Sequence, residues 1–185
     1  MKLLHCLLII LLLLVTLNLN AQVFGTAQTL KNGKWSLGVN PVMYDLGDDE
    51  MGIFGHLGLG LKPGMDLGFK LGLGLLDETY FGLDLEWALR RQSPFISISA
   101  GGHYWGDAGI DGTFNLTFPV GRQVDLYTGL DMDVVFAEGN TPIPLWIPIG
   151  IDVMLQRKMS LLIEIEIDVN DDAFTIFGAG VNFYL

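Results

Sequence analysis

The chain has 185 residues, of which 50% are hydrophobic, and its 21 acidic against 10 basic residues give a formal net charge of −11. This charge excludes an ordinary nucleic-acid binder, because phosphate contacts need clustered Lys and Arg side chains. The length predicts a single domain, and one cysteine in the whole chain excludes an internal disulfide.

The N-terminal segment has the order of features found in a cleaved secretory signal peptide. Lys2 precedes a long apolar run that ends at Leu17, and small or polar residues follow up to Gln22. The run is shorter than the roughly 20 residues of a membrane-spanning helix, so an anchor is the weaker alternative. The predicted division is a signal peptide, 1–21, and an exported domain, 22–185.

The exported domain alternates apolar residues with small or polar ones, and turn-forming residues separate the alternating segments, which predicts β-strands. Most segments are close to the roughly 9–11 residues of a tilted membrane-spanning strand. Pro41 and Pro148 lie inside segments, where each removes a backbone donor, so we expect bulges or strand ends there. We predict ten strands, with eight as the alternative count: 34–44, 52–62, 65–76, 80–90, 95–105, 110–120, 123–136, 145–155, 159–169 and 174–185.

The two faces of these strands differ in chemistry. One carries large apolar side chains and no charge, and the other carries Gly, small polar residues and charges, as in "HLGLGLKPGMDLGFKLGLGLL", residues 56–76. A soluble β-sandwich and a membrane barrel both alternate in this way. The amount of hydrocarbon, the Gly-rich polar face and aromatic girdles near strand ends favour the barrel. The girdle candidates are Trp35, Tyr44, Tyr80, Phe81, Tyr104, Trp105, Phe118, Phe136, Trp146, Phe174, Phe183 and Tyr184.

The predicted turns sort by charge. With an even strand number both chain ends lie on one side, and an incorrect strand count would scramble the sorting. The turns on that side carry the bases Lys62, Arg91, Arg122, Arg157 and Lys158. The loops on the opposite side carry acids and no base: Asp45, Asp48, Asp49, Glu50, Asp77, Glu78, Asp107, Glu138, Asp171 and Asp172.

With its leader, alternation, girdles and last strand "FGAGVNFYL", the chain resembles the small outer-membrane β-barrel proteins of gram-negative bacteria, the porin-like group, over nearly all of residues 34–185. The resemblance implies an all-β, closed, antiparallel up-and-down transmembrane barrel in the cell outer membrane. It also implies contact with outer-membrane lipid and with the barrel-assembly machinery through the C-terminal strand. That family usually ends on an aromatic residue, whereas this chain ends on Leu185, after Phe183 and Tyr184.

No motif predicts a cofactor or a metal. The glycines form no phosphate-binding loop, and the acidic loop 45–50 lacks the ligand spacing of a calcium site. An outer-membrane hydrolase with acids and a histidine at the rim is the enzymatic alternative, carried by His103, Asp107 and Asp111. We predict no enzymatic activity, because the short outer loops offer no platform for a substrate.

The polar face predicts an acid-rich lumen, which is either a polar filling or a narrow path that favours cations. The predicted function is therefore an integral outer-membrane protein, structural or a narrow cation-preferring pore. The alternative is a soluble exported β-sandwich binding module, with the rim hydrolase third. The lumen-lining candidates are His56, Lys70, Asp84, Glu86, Asp131, Asp133, Glu164 and Glu166.

One contact in this lumen can be predicted from turn geometry. The turn at 62–64 places His56 opposite Lys70, and a short loop at 77–79 would place Lys70 opposite Glu86, with Asp84 on the diagonal. An unpaired ammonium group would be costly there. We therefore expect Lys70 to bond Glu86 or Asp84, in a row His56–Lys70–Glu86.

Overall fold

The computed structural model describes residues 25–44, 50–74 and 79–185, without the side chain of Glu50. Outside the described residues lie 1–24, which include the predicted signal peptide, 1–21, the predicted acidic loop residues 45–49, and 75–78, where the predicted third strand, 65–76, meets its loop. Within the described ranges no helix is long and apolar enough to cross a membrane.

Ten antiparallel strands form one closed barrel, in which each strand pairs with its neighbours in sequence and β1 pairs with β10. The count of ten is confirmed and the alternative count of eight is wrong. The soluble β-sandwich is also wrong, because the strands form one closed sheet. The strands are β1 Trp35–Tyr44, β2 Glu50–Lys62, β3 Met65–Leu73, β4 Tyr80–Arg90, β5 Phe95–Trp105, β6 Asp107–Pro119, β7 Val124–Val135, β8 Leu145–Gln156, β9 Met159–Asp168 and β10 Ile176–Tyr184.

Strand alternation separates an apolar outer face from a mixed inner face. Side chains such as Leu83 and Ile149 point outward and are 54% and 47% exposed. The residues between them point inward, because successive side chains of a strand lie on opposite faces, and most of them are small, polar or charged. The predicted faces are confirmed for the described strands.

Two strand ends differ from the prediction by three residues, and the other ends agree to within two. β3 ends at Leu73 rather than at residue 76, because Gly74 takes a φ of 116° and leaves the extended conformation. β6 begins at Asp107 rather than at residue 110, because Gly106, with a φ of 66°, makes a turn tight enough for Asp107 to pair with Trp105.

The two internal prolines make neither bulges nor strand ends. Pro41 pairs with β2 in unbroken register, and the β1–β10 pairing is interrupted between Val39 and Val42 without a register shift. Pro148 pairs with β9, and the β7–β8 pairing has its gap beside it. Each proline therefore disturbs pairing on one side only, where its missing N–H would have donated.

The barrel has two ends with different connections. We call the end with the β2–β3, β4–β5, β6–β7 and β8–β9 turns and the C-terminus the terminal end, and the opposite one the loop end. Three register shifts lie beside terminal-end turns, at Gly60/Lys62, Ala88/Arg90 and Met154/Gln156. Bulges of this kind increase local twist and are common at barrel rims.

The barrel interior holds an apolar cluster. Its buried members are Val42, Tyr44, Phe54, Tyr80, Tyr127, Leu162 and Ile176, with Trp105 and Phe174 packed against them. The predicted girdle is therefore wrong for half of its members. Those that point inward are Tyr44, Tyr80, Trp105, Trp146, Phe174 and Tyr184, and those exposed on the outer face are Trp35, Phe81, Tyr104, Phe118, Phe136 and Phe183.

Candidate functional site

The barrel interior is the candidate site, and strand alternation places all eight lumen candidates on its inner face. Asp131 and Asp133 follow each other along the inner face of β7, and Glu164 and Glu166 do so along β9; all four are buried. Asp131 accepts a hydrogen bond of 2.6 Å from the Thr113 hydroxyl. These side chains contribute polar filling to the middle of the barrel.

Lys70 lies beside an acid, but in a different register from the one predicted. His56 is opposite Lys70, as expected. The row His56–Lys70–Glu86 is wrong, because Lys70 pairs with Gly82 and Glu86 pairs with Asp66, a shift of four residues. The early end of β3 causes the shift. The expected bond to Asp84 is confirmed, with Lys70 Nζ at 3.3 Å from the Asp84 carboxylate.

The inner-face glycines leave no open channel beside them. A Cβ at Gly150 would meet the Tyr127 ring, and one at Gly109 would meet the His103 ring. Larger side chains of neighbouring strands therefore occupy the space beside these glycines. The glycines are needed for that close packing.

His103 bridges two carboxylates near the loop end. Its Nδ1 lies 3.3 Å from Asp111 Oδ1, its Nε2 lies 3.8 Å from Asp133 Oδ2, and its ring stacks on Tyr80 at 5.6 Å. Asp111 and Asp133 are directly opposed on β6 and β7, and the His103 ring lies between their carboxyl groups. Asp107 lies further out, at the rim.

This arrangement gives little support to the rim hydrolase. Both ring nitrogens of His103 face carboxylates, so neither is directed at a hydroxyl nucleophile. The ring is also buried, with 9% of the residue exposed. Among the described residues no group of three or more His, Cys, Asp or Glu side chains is arranged to hold a metal ion.

The segment before β1 crosses the terminal end of the lumen, a feature that the sequence did not predict. We call residues 25–34 the strap. The Ala27 N–H donates to the Thr117 hydroxyl at 2.8 Å, and the Leu30 N–H donates to Asp66 at 2.5 Å. The Gln28 amide donates to Asp125 at 2.6 Å. The strap thus supplies donors to two lumen acids and covers this end of the barrel.

Gly60 lets the strap approach the barrel wall. The Gly33 N–H donates to the Gly60 carbonyl at 2.7 Å, and the Gly60 N–H donates to the Lys34 carbonyl at 2.9 Å. A Cβ at Gly60 would overlap the Lys31 backbone carbonyl. Gly60 is therefore required because the strap backbone packs directly against it, where any side chain would clash.

A cavity of about 240 Å³ opens at the loop end, and we call it the loop-end vestibule. Its walls include Trp105, Trp146 and Phe174, and its acids are Asp107, Asp133 and Asp172. The Trp146 indole N–H donates to the Phe174 carbonyl at 2.9 Å, which fixes one wall. The alternation could have identified these aromatics as lumen-lining, because it places them on the same inner face as His103 and Asp131.

No family model and no curated protein matches the chain. It is similar to a structure from de novo design of transmembrane β-barrels, with 11% identity, a TM-score of 0.49 and coverage of 85% of this chain and 100% of that one. The N-terminal β-barrel domain of Pseudomonas aeruginosa OprF has 13% identity to this chain and a TM-score of 0.44, with coverage of 84% of this chain and 100% of that one. Yersinia pestis outer membrane protein Ail has 11% identity and a TM-score of 0.42, with coverage of 83% of this chain and 100% of that one. These are similarities to other proteins, and the fold described above rests on the strand pairing of this chain alone.

Proposed function

We propose that the chain is an integral β-barrel protein of the cell outer membrane with a structural role and a closed lumen. The outer face is a belt of exposed hydrocarbon, and the closed sheet pairs its backbone donors internally, as a bilayer requires. One observation carries the closed lumen: a set of inner-face side chains has no exposed surface. They are Asn40, Ser97, Thr117, Ser160 and Glu166, each 0% exposed.

Conductance across a planar bilayer tests the closed lumen. Because the strap lies across the terminal end and the apolar cluster occupies part of the interior, the inserted protein should give no steady ohmic current. Insertion is checked on the same sample by gel electrophoresis with and without boiling, since a closed barrel resists detergent until heated. A stable, open conductance from protein that shows the heat-dependent shift would contradict the closed lumen.

Membrane assembly is proposed to depend on the C-terminal strand and the machinery that recognises it. Phe183 points outward and pairs with Leu37 of β1 and Met159 of β9, so the last strand also closes the barrel. Phe183→Ser should lower the amount of heat-modifiable protein in the outer-membrane fraction. Asn182→Ser, one residue away on the inner face, is the control, and equal loss in both would contradict a role for the outward aromatic.

A narrow cation-preferring path is the second candidate, favoured by the lumen acids. The strap donates hydrogen bonds to Asp66 and Asp125 and covers the terminal end. Deleting 25–31 should uncover these acids, and any current should then favour cations, because acidic rings attract them. The reversal potential in a salt gradient measures this preference. A preference for anions, or the absence of any current in the deletion variant, would contradict the cation-preferring path.

A further inference from the structure

We propose that the loop-end vestibule binds a small organic cation, an ammonium compound about the size of choline. This goes beyond the structural role proposed above. The volume of about 240 Å³ lies below the roughly 300–1,000 Å³ of sites for drug-sized ligands, so the ligand must be small. Two independent features, the aromatic walls and a buried carboxylate, select its chemistry.

The walls are suited to a cation. Trp105, Trp146 and Phe174 line the vestibule, and a cation within roughly 6 Å of an aromatic ring centre is attracted to the ring face. The Trp146 N–H is used by the Phe174 carbonyl, so this indole offers its ring rather than a donor. The Trp105 Nε1 is buried and has no hydrogen-bond partner among the described residues.

The acids set the sign of the ligand's charge. Asp107, Asp133 and Asp172 line the vestibule, and no Lys or Arg is among its described lining residues. Asp133 is 2% exposed; its Oδ2 lies 3.8 Å from His103, while its Oδ1 is buried and has no hydrogen-bond partner in the described part of the chain. Together the three acids make the vestibule attractive to a cation and unfavourable for an anion.

An ammonium compound fits this lining, because its charge would lie near the acids while its carbon groups contact the aromatic walls. A lipid headgroup shares this chemistry, but we assign the vestibule to a free solute, because it opens at the loop end and not through the outer face.

The experiment titrates choline into the folded barrel in a sugar-based detergent and follows tryptophan fluorescence. The uncharged isostere 3,3-dimethylbutan-1-ol and sodium chloride are the ligand controls. Choline should saturate the signal and bind at least about 10-fold more tightly than the isostere. Equal binding of the two, or no saturation by choline up to about 100 mM, would overturn the proposal.

Variants locate the site. Asp133→Asn should weaken choline binding about 10-fold or more, and Trp105→Leu serves if the first variant does not fold. Glu138→Gln removes an exposed acid at the same end that does not line the vestibule, and it should bind choline normally. An equal loss in Glu138→Gln would mean general charge attraction and would overturn the site.

Vesicles separate the two sources of the ammonium group. In phosphatidylglycerol vesicles choline should bind as it does in detergent, and in phosphatidylcholine vesicles its affinity should be unchanged. If phosphatidylcholine vesicles abolish choline binding, the headgroup occupies the vestibule and the assignment to a free solute is wrong.

Discussion

Replacing Gly60 by Ala should detach the strap from β2. A Cβ at this position would overlap the Lys31 carbonyl, which belongs to the backbone and cannot rotate away as a flexible side chain would. The strap must then move, and two hydrogen bonds break with it: Gly33 N–H to the Gly60 carbonyl at 2.7 Å and Gly60 N–H to the Lys34 carbonyl at 2.9 Å.

The size of the effect follows from these two bonds. A neutral backbone hydrogen bond contributes about 1 kcal/mol net, so the attached strap should lose about 2 kcal/mol relative to the detached one. Since each 1.4 kcal/mol changes an equilibrium constant tenfold, the detached population should rise about 30-fold. The ten strands keep their own pairing, so the barrel should still show its heat-dependent gel shift.

Trypsin measures the detached population through Lys31 and Lys34, which are exposed residues of the strap. Cleavage needs a locally detached chain, so its rate follows the open population when opening and closing are fast. Gly55→Ala is the matched control on the same strand, because a Cβ there would meet only the Leu71 carbonyl oxygen, at 3.8 Å. Cleavage of Gly60→Ala within about twofold of Gly55→Ala would refute this account of the strap.

Two further changes test the outer face and the lumen. Leu85→Arg and Ile149→Arg, at mid-strand on the outer face, should each lower the free energy of unfolding in a bilayer by about 2–4 kcal/mol; urea titration in vesicles measures this, and unchanged stability would argue against lipid contact. Lys70→Met leaves Asp84 without its ion-pair partner and should lower the free energy of unfolding by about 3 kcal/mol. Adding Asp84→Asn should restore most of that loss in the same titration, and a double variant no more stable than Lys70→Met would show that the pair is unimportant.

The faces of the strands could be predicted because alternation persists along each strand. In β3, for example, Leu67, Phe69 and Leu71 alternate with Gly68 and Lys70, and this assigns the two faces whatever the loops do. Register is different, because it depends on where a loop leaves the extended conformation. The positive φ of Gly74 is invisible to alternation, and an error of four residues, being even, keeps every side chain on its predicted face.

The strap and the inward aromatics mark the limits of the sequence pattern. Residues 25–34 carry no alternation, and their partners Thr117, Asp66 and Asp125 are far away in the chain. The inward position of Gly60 follows from the alternation, but the backbone segment that contacts it does not. Position near a strand end assigns all of these aromatics to a girdle, whereas parity along the strand distinguishes inward Trp105 from outward Tyr104.

The central claim is that the apolar outer face meets lipid while the inner face is filled and sealed, and fluorescence quenching by brominated acyl chains tests it most directly. Two variants each keep one tryptophan: Trp87, on the outer face of β4, or Trp146, buried inside at the loop end. Brominated lipid should quench Trp87 strongly and leave Trp146 nearly unchanged. An unquenched Trp87, or equal quenching of the two, would contradict it.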